Sequence, residues 1–308
     1  MTRSLLTTGL LSTALALTAC TKTAPDQAGV VEKPSQTTAN IVNGEAVTTN
    51  EDLAKTTVQI YTFQIERDLY GKMAITGVSS CTGTLLAEDI LLTAAHCTSA
   101  NPFYMFLYFS TEAPKDLNSF IDSIPTNPLV RRVVGGKVGD NWPLLDDSKE
   151  SDWGDIALLK FMGGLPEGYQ RAALLPDTES LHEQQAITLA GYGLTDGVKQ
   201  TRSTKLLKVD VSILDPKFSG TEMLIDSGLK GPCHGDSGGP AYVSDSMGQK
   251  YVAGVTSRAD AKTDPKGLCT GDTVYTKVQP YAGWIQKSVQ LLQSPNFRPE
   301  LIPQPQGG

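Results

Sequence analysis

The sequence predicts an all-β protein carrying one helix near its C-terminus. The composition is that of a globular chain with a core: 308 residues, 40% hydrophobic and 19% charged. From Ile41 onward the chain breaks into short apolar runs separated by Gly, Pro, Asn and Asp. These runs are Thr57 to Phe63, Gly83 to Leu86, Asp89 to Ala95, Asp155 to Met162, Ala186 to Tyr192, Lys205 to Leu214, Tyr251 to Thr256 and Thr273 to Val278. Many short strands with turn signals between them argue for a sandwich or a barrel. One stretch keeps a helical period instead: in Pro280 to Gln293, Tyr281, Trp284, Ile285, Val289 and Leu292 recur at three- and four-residue steps. No internal repeat is visible.

The N-terminal elements are of another kind. Residues 1–19 read as a signal peptide, with Arg3 ahead of a Leu/Ala-rich run from Leu5 to Leu17. That run is too short for a membrane-spanning helix, which needs about 20 residues. It ends Leu17-Thr18-Ala19-Cys20, which resembles the lipobox of bacterial lipoproteins, so Cys20 is expected to carry a lipid. Cysteine arithmetic agrees. Five cysteines in an exported chain leave one unpaired, and lipidation of Cys20 leaves Cys81, Cys97, Cys233 and Cys269 for two bridges. Residues 20–40 are polar and aperiodic, a tether. Residues 294–308, with four prolines, are expected to form a disordered tail. Within the long stretch from Thr98 to Ser151, Phe103 to Phe109 reads as a buried strand, and Trp142 and Asp146-Asp147 as surface loop. His182 is expected to be exposed.

The net charge of −7 and the lack of a basic stripe exclude a nucleic-acid partner. Three histidines without spaced Cys/His pairs give no zinc pattern, and no EF-hand spacing is present. No metal or cofactor is expected.

Two stretches carry the chemistry. One is Cys81-Thr82-Gly83-Thr84-Leu85-Leu86 followed by Leu92-Thr93-Ala94-Ala95-His96-Cys97; the other is Cys233-His234-Gly235-Asp236-Ser237-Gly238-Gly239-Pro240. With Ile41-Val42-Asn43-Gly44, Asp155-Ile156-Ala157-Leu158-Leu159, Gly191-Tyr192-Gly193, Ser257, Tyr275-Thr276-Lys277-Val278 and Trp284 in that order, residues 41–293 resemble the chymotrypsin/trypsin family of serine peptidases. The sparse cysteines suit a bacterial member.

The resemblance implies two antiparallel six-stranded β-barrels, one from about Ile41 to Met162 and one from about Leu181 to Gln279, closed by a helix over 280–293. It implies a triad of His96, Asp155 and Ser237. A serine is a weak nucleophile until a base takes its proton, and imidazole has the pKa nearest neutrality. Asp155 would orient that imidazole and stabilise its charged form. The resemblance assigns the oxyanion hole to the N–H groups of Gly235 and Ser237, and the bridges to Cys81–Cys97 and Cys233–Cys269. It also implies a zymogen: cleavage between Asn40 and Ile41 would free an ammonium that pairs with Asp236. The substrate pocket maps to Gly231 at its base, where no carboxylate stands to pair with Lys or Arg, and to Ser257, Ala259 and Thr273 in its walls. Side chains at the last two narrow the pocket, so small or short polar residues are expected at the cleavage position. Relatives usually carry Ser-Trp-Gly where this chain has Ser257-Arg258-Ala259; Arg258 and His234 are expected as exposed rim charges. The expected partners are protein or peptide substrates and, through Cys20, a membrane, with the chain a monomer at the cell envelope or released. The rival readings are a catalytically silent adaptor or binding lipoprotein, and a non-peptide esterase.

Overall fold

The computed structural model describes residues 41–67, 69–142, 151–228 and 230–305. The signal peptide, Cys20, the tether and the Asp146-Asp147 run lie outside the described residues.

Six strands close the first barrel: β1 (Thr57–Arg67), β2 (Met73–Ala87), β3 (Ile90–Thr93), β4 (Met105–Tyr108), β5 (Val130–Val138) and β6 (Ala157–Phe161). They follow one another around it in the order β1-β2-β3-β6-β5-β4, and every pairing is antiparallel. The second barrel is built from β7 (Ala186–Gly191), β8 (Leu207–Asp215), β9 (Glu222–Asp226), β10 (Pro240–Ser244), β11 (Lys250–Ala259) and β12 (Thr273–Lys277). Its order, β7-β8-β9-β12-β11-β10 with β10 returning to β7, repeats the connectivity of the first. The two barrels thus share a plan that their side chains do not reveal.

Why two of the apolar runs are continuous rather than alternating follows from where they lie. Side chains alternate across a strand. In β3, Leu91 points into the core of the first barrel while Ile90 and Leu92 join the cluster that fills the second barrel and the seam between the two. In β6, Ala157, Leu159 and Phe161 face the first core, and Leu158 faces the seam. Strands buried on both faces need apolar residues at every position. Their ends, held from two sides, carry His96 and Asp155.

Two boundaries differ from the sequence expectation. Residues 41–47 belong to the second barrel: Glu45–Ala46 pairs with Lys208 and Leu207 of β8, Val42 bridges Gly231, and Ile41 and Val47 are buried in the second core. Apolar burial decides this, since Ile41 is entirely inaccessible. The segment expected as a disordered tail instead packs along the first barrel. After the helix Ala282–Leu292, Phe297 covers Gly135, and Ile302 is buried in the first core with its N–H donating to the Ala100 carbonyl at 3.0 Å. The adjacent Gly135 and Gly136 of β5 make room for it. A Cβ at Gly135 would lie 2.5 Å from the Phe297 ring, and one at Gly136 would lie 3.0 Å from Ile302 Cδ1.

Phe103 to Phe109 resolves into a short 3₁₀ turn and β4. There Met105 and Leu107 face the barrel interior, while Phe106 and Tyr108 face outward under the helix Leu117–Ser123. Phe120 of that helix meets Tyr61 and Tyr108 with ring centroids 4.8 and 5.1 Å apart. Trp142, expected on a surface loop, is buried in the first core. His182 is exposed. Among the described residues no helix is long and apolar enough to cross a membrane.

Candidate active site

His96 lies in the 3₁₀ turn Ala95–Cys97 that follows β3, with a third of its side chain open to solvent. Asp155 immediately precedes the apolar run of β6 and is 1% exposed. Two bonds join them: the His96 main-chain N–H donates to Asp155 Oδ1 at 3.0 Å, and His96 Nδ1 lies 2.8 Å from Asp155 Oδ2. The carboxylate is held from the second barrel as well. Ser257 Oγ donates to Oδ2 at 2.7 Å, and Thr276 Oγ1 donates to the Asp155 carbonyl at 3.0 Å. Burial pushes the Asp155 carboxyl up, but the His96 charge and the hydrogen bonds from His96 and Ser257 outweigh it and hold it below its ordinary value. Burial pulls His96 down, and the Asp155 charge and hydrogen bond more than reverse that, so its imidazole titrates above its ordinary value. The pair favours the protonated ring, and in the neutral ring it keeps the hydrogen on Nδ1, with Nε2 turned away from Asp155.

Ser237 stands on a tight loop between Cys233 and Pro240, half-buried, and lines the same cavity as His96. The loop is stapled to both barrels. The Thr82 N–H donates to the Ser237 carbonyl at 2.9 Å, Thr82 Oγ1 donates to the Gly235 carbonyl at 2.9 Å, and the Gly238 N–H donates to the Thr256 carbonyl at 2.8 Å. Gly238 has φ +78°, and a Cβ there would come within 2.0 Å of Thr93 Oγ1 and 2.5 Å of the Thr82 carbonyl oxygen. Only glycine lets the loop approach the first barrel this closely. Among the described residues the N–H groups of Gly235 and Ser237 make no hydrogen bond, which leaves them free to receive an anion. Asp236 points inward. The N–H groups of Gly193 and Cys233 donate to its two oxygens at 2.7 and 2.8 Å, and no cationic side chain among the described residues pairs with it. Burial outweighs those bonds and pushes its carboxyl up to about 7.

Both disulfides flank this assembly. Cys81–Cys97 ties β2 to the turn carrying His96, and Cys233–Cys269 joins the Ser237 loop to the pocket wall. Cys81, His96 and Cys97 place potential metal-ligating atoms near one another, but both sulfurs are oxidised and neither can supply the thiolate a metal needs.

The cavity beside Ser237 holds about 360 Å³, and Ser257, Ala259 and Thr273 are among the residues that line it. Gly231 does not. Its N–H donates to the Val42 carbonyl, and Pro232 lines the cavity instead. His234 is exposed, with Nε2 2.8 Å from the Gly267 carbonyl. Arg258, expected as an exposed rim charge, lines the cavity but is largely enclosed. Its guanidinium grips the fully buried Glu222 through two bonds of 2.8 and 3.0 Å, under the ring of Trp153. The long segment from Ser257 to Cys269 is organised by the buried Asp264, which accepts the N–H groups of Leu268, Cys269 and Thr270 and also lines the cavity.

Sequence reasoning passed over Thr82, Glu222, Trp153 and Asp264. Thr82 had a signal, its place inside the quoted Cys81-Thr82-Gly83 stretch. Glu222 and Asp264 had none, because an acidic residue destined for burial looks the same in sequence as one destined for solvent.

A buried carboxylate, an imidazole bonded to it and a serine on a glycine-rich loop, gathered where two six-stranded barrels meet, define a serine-hydrolase site of the double-barrel class. Comparison with known proteins narrows this. The family model "Trypsin" matches residues 133–285. The chain is 30% identical over 230 residues to a trypsin of the mite Tyrophagus putrescentiae, covering 68% of this chain and 72% of that one. It is 28% identical over 228 residues to a trypsin-like protease of Streptomyces glaucescens, covering 69% and 75%. It is also 28% identical over 232 residues to the CLIP domain-containing serine protease B4 of Anopheles gambiae, of which it spans 62%. The chain belongs to the trypsin family of serine peptidases.

Proposed function

We propose that the chain is a serine endopeptidase that cleaves protein or peptide substrates through an acyl-enzyme on Ser237. The observation that carries this is the paired geometry at Asp155, whose two oxygens take the main chain and ring of His96 while Ser257 holds the carboxylate from the other barrel. In the first step His96 Nε2 takes the Ser237 hydroxyl proton as Oγ bonds to the substrate carbonyl carbon. The carbonyl π electrons move to oxygen, which receives hydrogen bonds from the Gly235 and Ser237 N–H groups. Losing one such donor typically costs roughly 10²–10³ in rate. The tetrahedral adduct collapses, the C–N bond breaks, and His96 returns its proton to the departing amine; water then repeats the sequence in reverse to release the acid.

The same reading extends to activation and specificity. The chain is made as a zymogen, and cleavage before Ile41 frees the ammonium that pairs with Asp236. A buried carboxylate raised to about 7, without a cationic partner among the described residues, supports a missing counter-charge. So does the backbone of Ile41, a β-branched residue at φ +54°, a strained conformation that the cut relieves. Ala259 and Thr273 in the cavity wall support a preference for small or short polar residues at the cleavage position. A lipid on Cys20 holds the monomeric precursor at the membrane, and cleavage releases the catalytic part.

Labelling with a serine-directed fluorophosphonate tests this, comparing the chain beginning at Ile41 with the uncut chain, each beside its Ser237→Ala form. Labelling of the shorter form alone, lost in the variant, is expected. Labelling of neither, in folded protein, replaces the enzyme with the silent adaptor.

A further inference from the structure

Position 258 departs from the pattern Ser-Trp-Gly, and the structure gives the departure a purpose. Arg258 lies in β11 between Ser257, which holds Asp155, and Ala259, and all three line the cavity. Glu222 reaches it from β9 across the intervening β12, as a fully buried carboxylate matched oxygen for nitrogen to the guanidinium. The Trp153 ring covers the other side, with its centroid 4.2 Å from Arg258 Cζ, and the Trp153 main-chain N–H donates to Glu222 Oε1 at 3.4 Å. Trp153 is two residues ahead of Asp155. Its ring thus stacks on the guanidinium that stands where relatives carry tryptophan.

A second contact links this group to the triad. Arg258 Nη1 donates to Ser257 Oγ at 3.4 Å. A guanidinium has no acceptor, so the Ser257 oxygen must accept from it, and the Ser257 hydrogen is left to Asp155. The polar chain then runs from Glu222 through Arg258 and Ser257 to Asp155 and His96. We propose that Glu222, Arg258 and Trp153 form a charge-locked clamp in which Arg258 is a positioning residue, fixing the Ser257 hydroxyl on Asp155 and so the orientation of His96. The proposal rests on the serine-peptidase reading of this site.

The clamp is tested by a double-mutant cycle between Arg258→Lys and Ser257→Ala in the chain beginning at Ile41. Lysine keeps the charge opposite Glu222 but cannot fork to Glu222 and Ser257 together. Arg258→Lys alone is expected to lower kcat about 10-fold with KM changed less than about 3-fold, and in the Ser257→Ala background to add almost nothing. Losses that multiply across the two variants, with melting temperatures near wild type, overturn the clamp; so does an Arg258→Lys enzyme with unchanged kcat. A readout that needs no turnover accompanies it, the titration of the His96 ring followed by NMR in Ser237→Ala protein. With weaker donation from Ser257, Asp155 keeps more charge, so Arg258→Lys is expected to raise the His96 midpoint by about half a unit when Ser257 is present and not when it is alanine. An equal shift in both backgrounds refutes the relay. The NMR coupling in the Ser237→Ala series, found together with a wild-type chain that cleaves no peptide and takes no fluorophosphonate, refutes the enzyme reading and leaves the clamp standing.

Discussion

Shortening Ile302 to alanine tests whether the C-terminal strap is part of the folded domain. The side chain is 1% exposed in the core of the first barrel, packed over Gly136, and its N–H is bonded to Ala100. Burial of an isoleucine is worth about 1.5–3 kcal/mol, and truncation to alanine in a core costs about 2–5 kcal/mol once the cavity is included. The strap sets a ceiling on that cost. It contributes no strand to either barrel, so a weakened strap can peel away without opening the first, and Ile302→Ala can lose no more than the docking energy of residues 296–305. A loss of about 3 kcal/mol is therefore the expectation for either Ile302→Ala or deletion of residues 296–308. With an unfolding entropy near 2.1 cal/mol/K per residue, some 260 residues give roughly 0.5 kcal/mol/K, so the melting point should fall by about 5–6 °C. Calorimetry on Ser237→Ala protein, which cannot digest itself, measures it. Gly135→Ala provides an independent check, since its methyl group would displace Phe297 and should give a similar fall. A shift under about 1 °C for both Ile302→Ala and the deletion would refute the docking of this segment.

Three further outcomes follow from the polar groups of the site. Activity should rise with pH as His96 loses its proton, with a midpoint above the ordinary imidazole value of about 6.5, because Asp155 raises it; Asp155→Asn should lower that midpoint and cut kcat by about 10⁴, read from kcat/KM against pH. The uncut chain should lose stability as pH rises from about 4 to 7, because the Asp236 carboxyl is raised when folded and the fold therefore binds its proton more tightly than the unfolded chain does. Asp236→Asn should flatten the Asp236 part of that slope, worth a few kcal/mol across the window, and cleavage before Ile41 should reverse it, as followed by denaturant unfolding at each pH. Thr82→Val keeps shape while removing the hydroxyl bonded to the Gly235 carbonyl and the Tyr192 N–H, so kcat should drop about 10-fold or more with a stability loss of about 1–3 kcal/mol, measured by kinetics beside thermal melting.

How much of this was legible beforehand depended on how local the cause was. The all-β class showed in the punctuated apolar runs, and β3 and β6 showed most clearly because burial on both faces makes them apolar throughout. His96, Asp155 and Ser237 stood out because each sits in a stretch whose neighbours are also constrained, as Gly238 is by its contact with Thr93 and Thr82. The strap was hidden because prolines argue against regular structure and not against packing. A single isoleucine among them can dock where a strand has exchanged two side chains for Gly135 and Gly136. The placement of residues 41–47 was hidden for a similar reason. Sequence adjacency puts them beside the first barrel, and only the long-range pairing with Lys208 and Leu207 assigns them to the second.

Arg258 carries the general lesson furthest. In sequence an arginine beside a pocket reads as a solvated charge, because burying a cation alone is prohibitive. That argument holds only while no partner is in view. Glu222 is 36 residues earlier and Trp153 more than a hundred, yet the barrel order brings β9, β12 and β11 side by side and sets Trp153 against them. Removing Arg258 takes the counter-charge from the fully buried Glu222, at a cost of about 3–5 kcal/mol, so a change at either position strains the other. A pair constrained in this way, one bond from the serine that holds Asp155, couples the fold of the second barrel to the geometry of the triad.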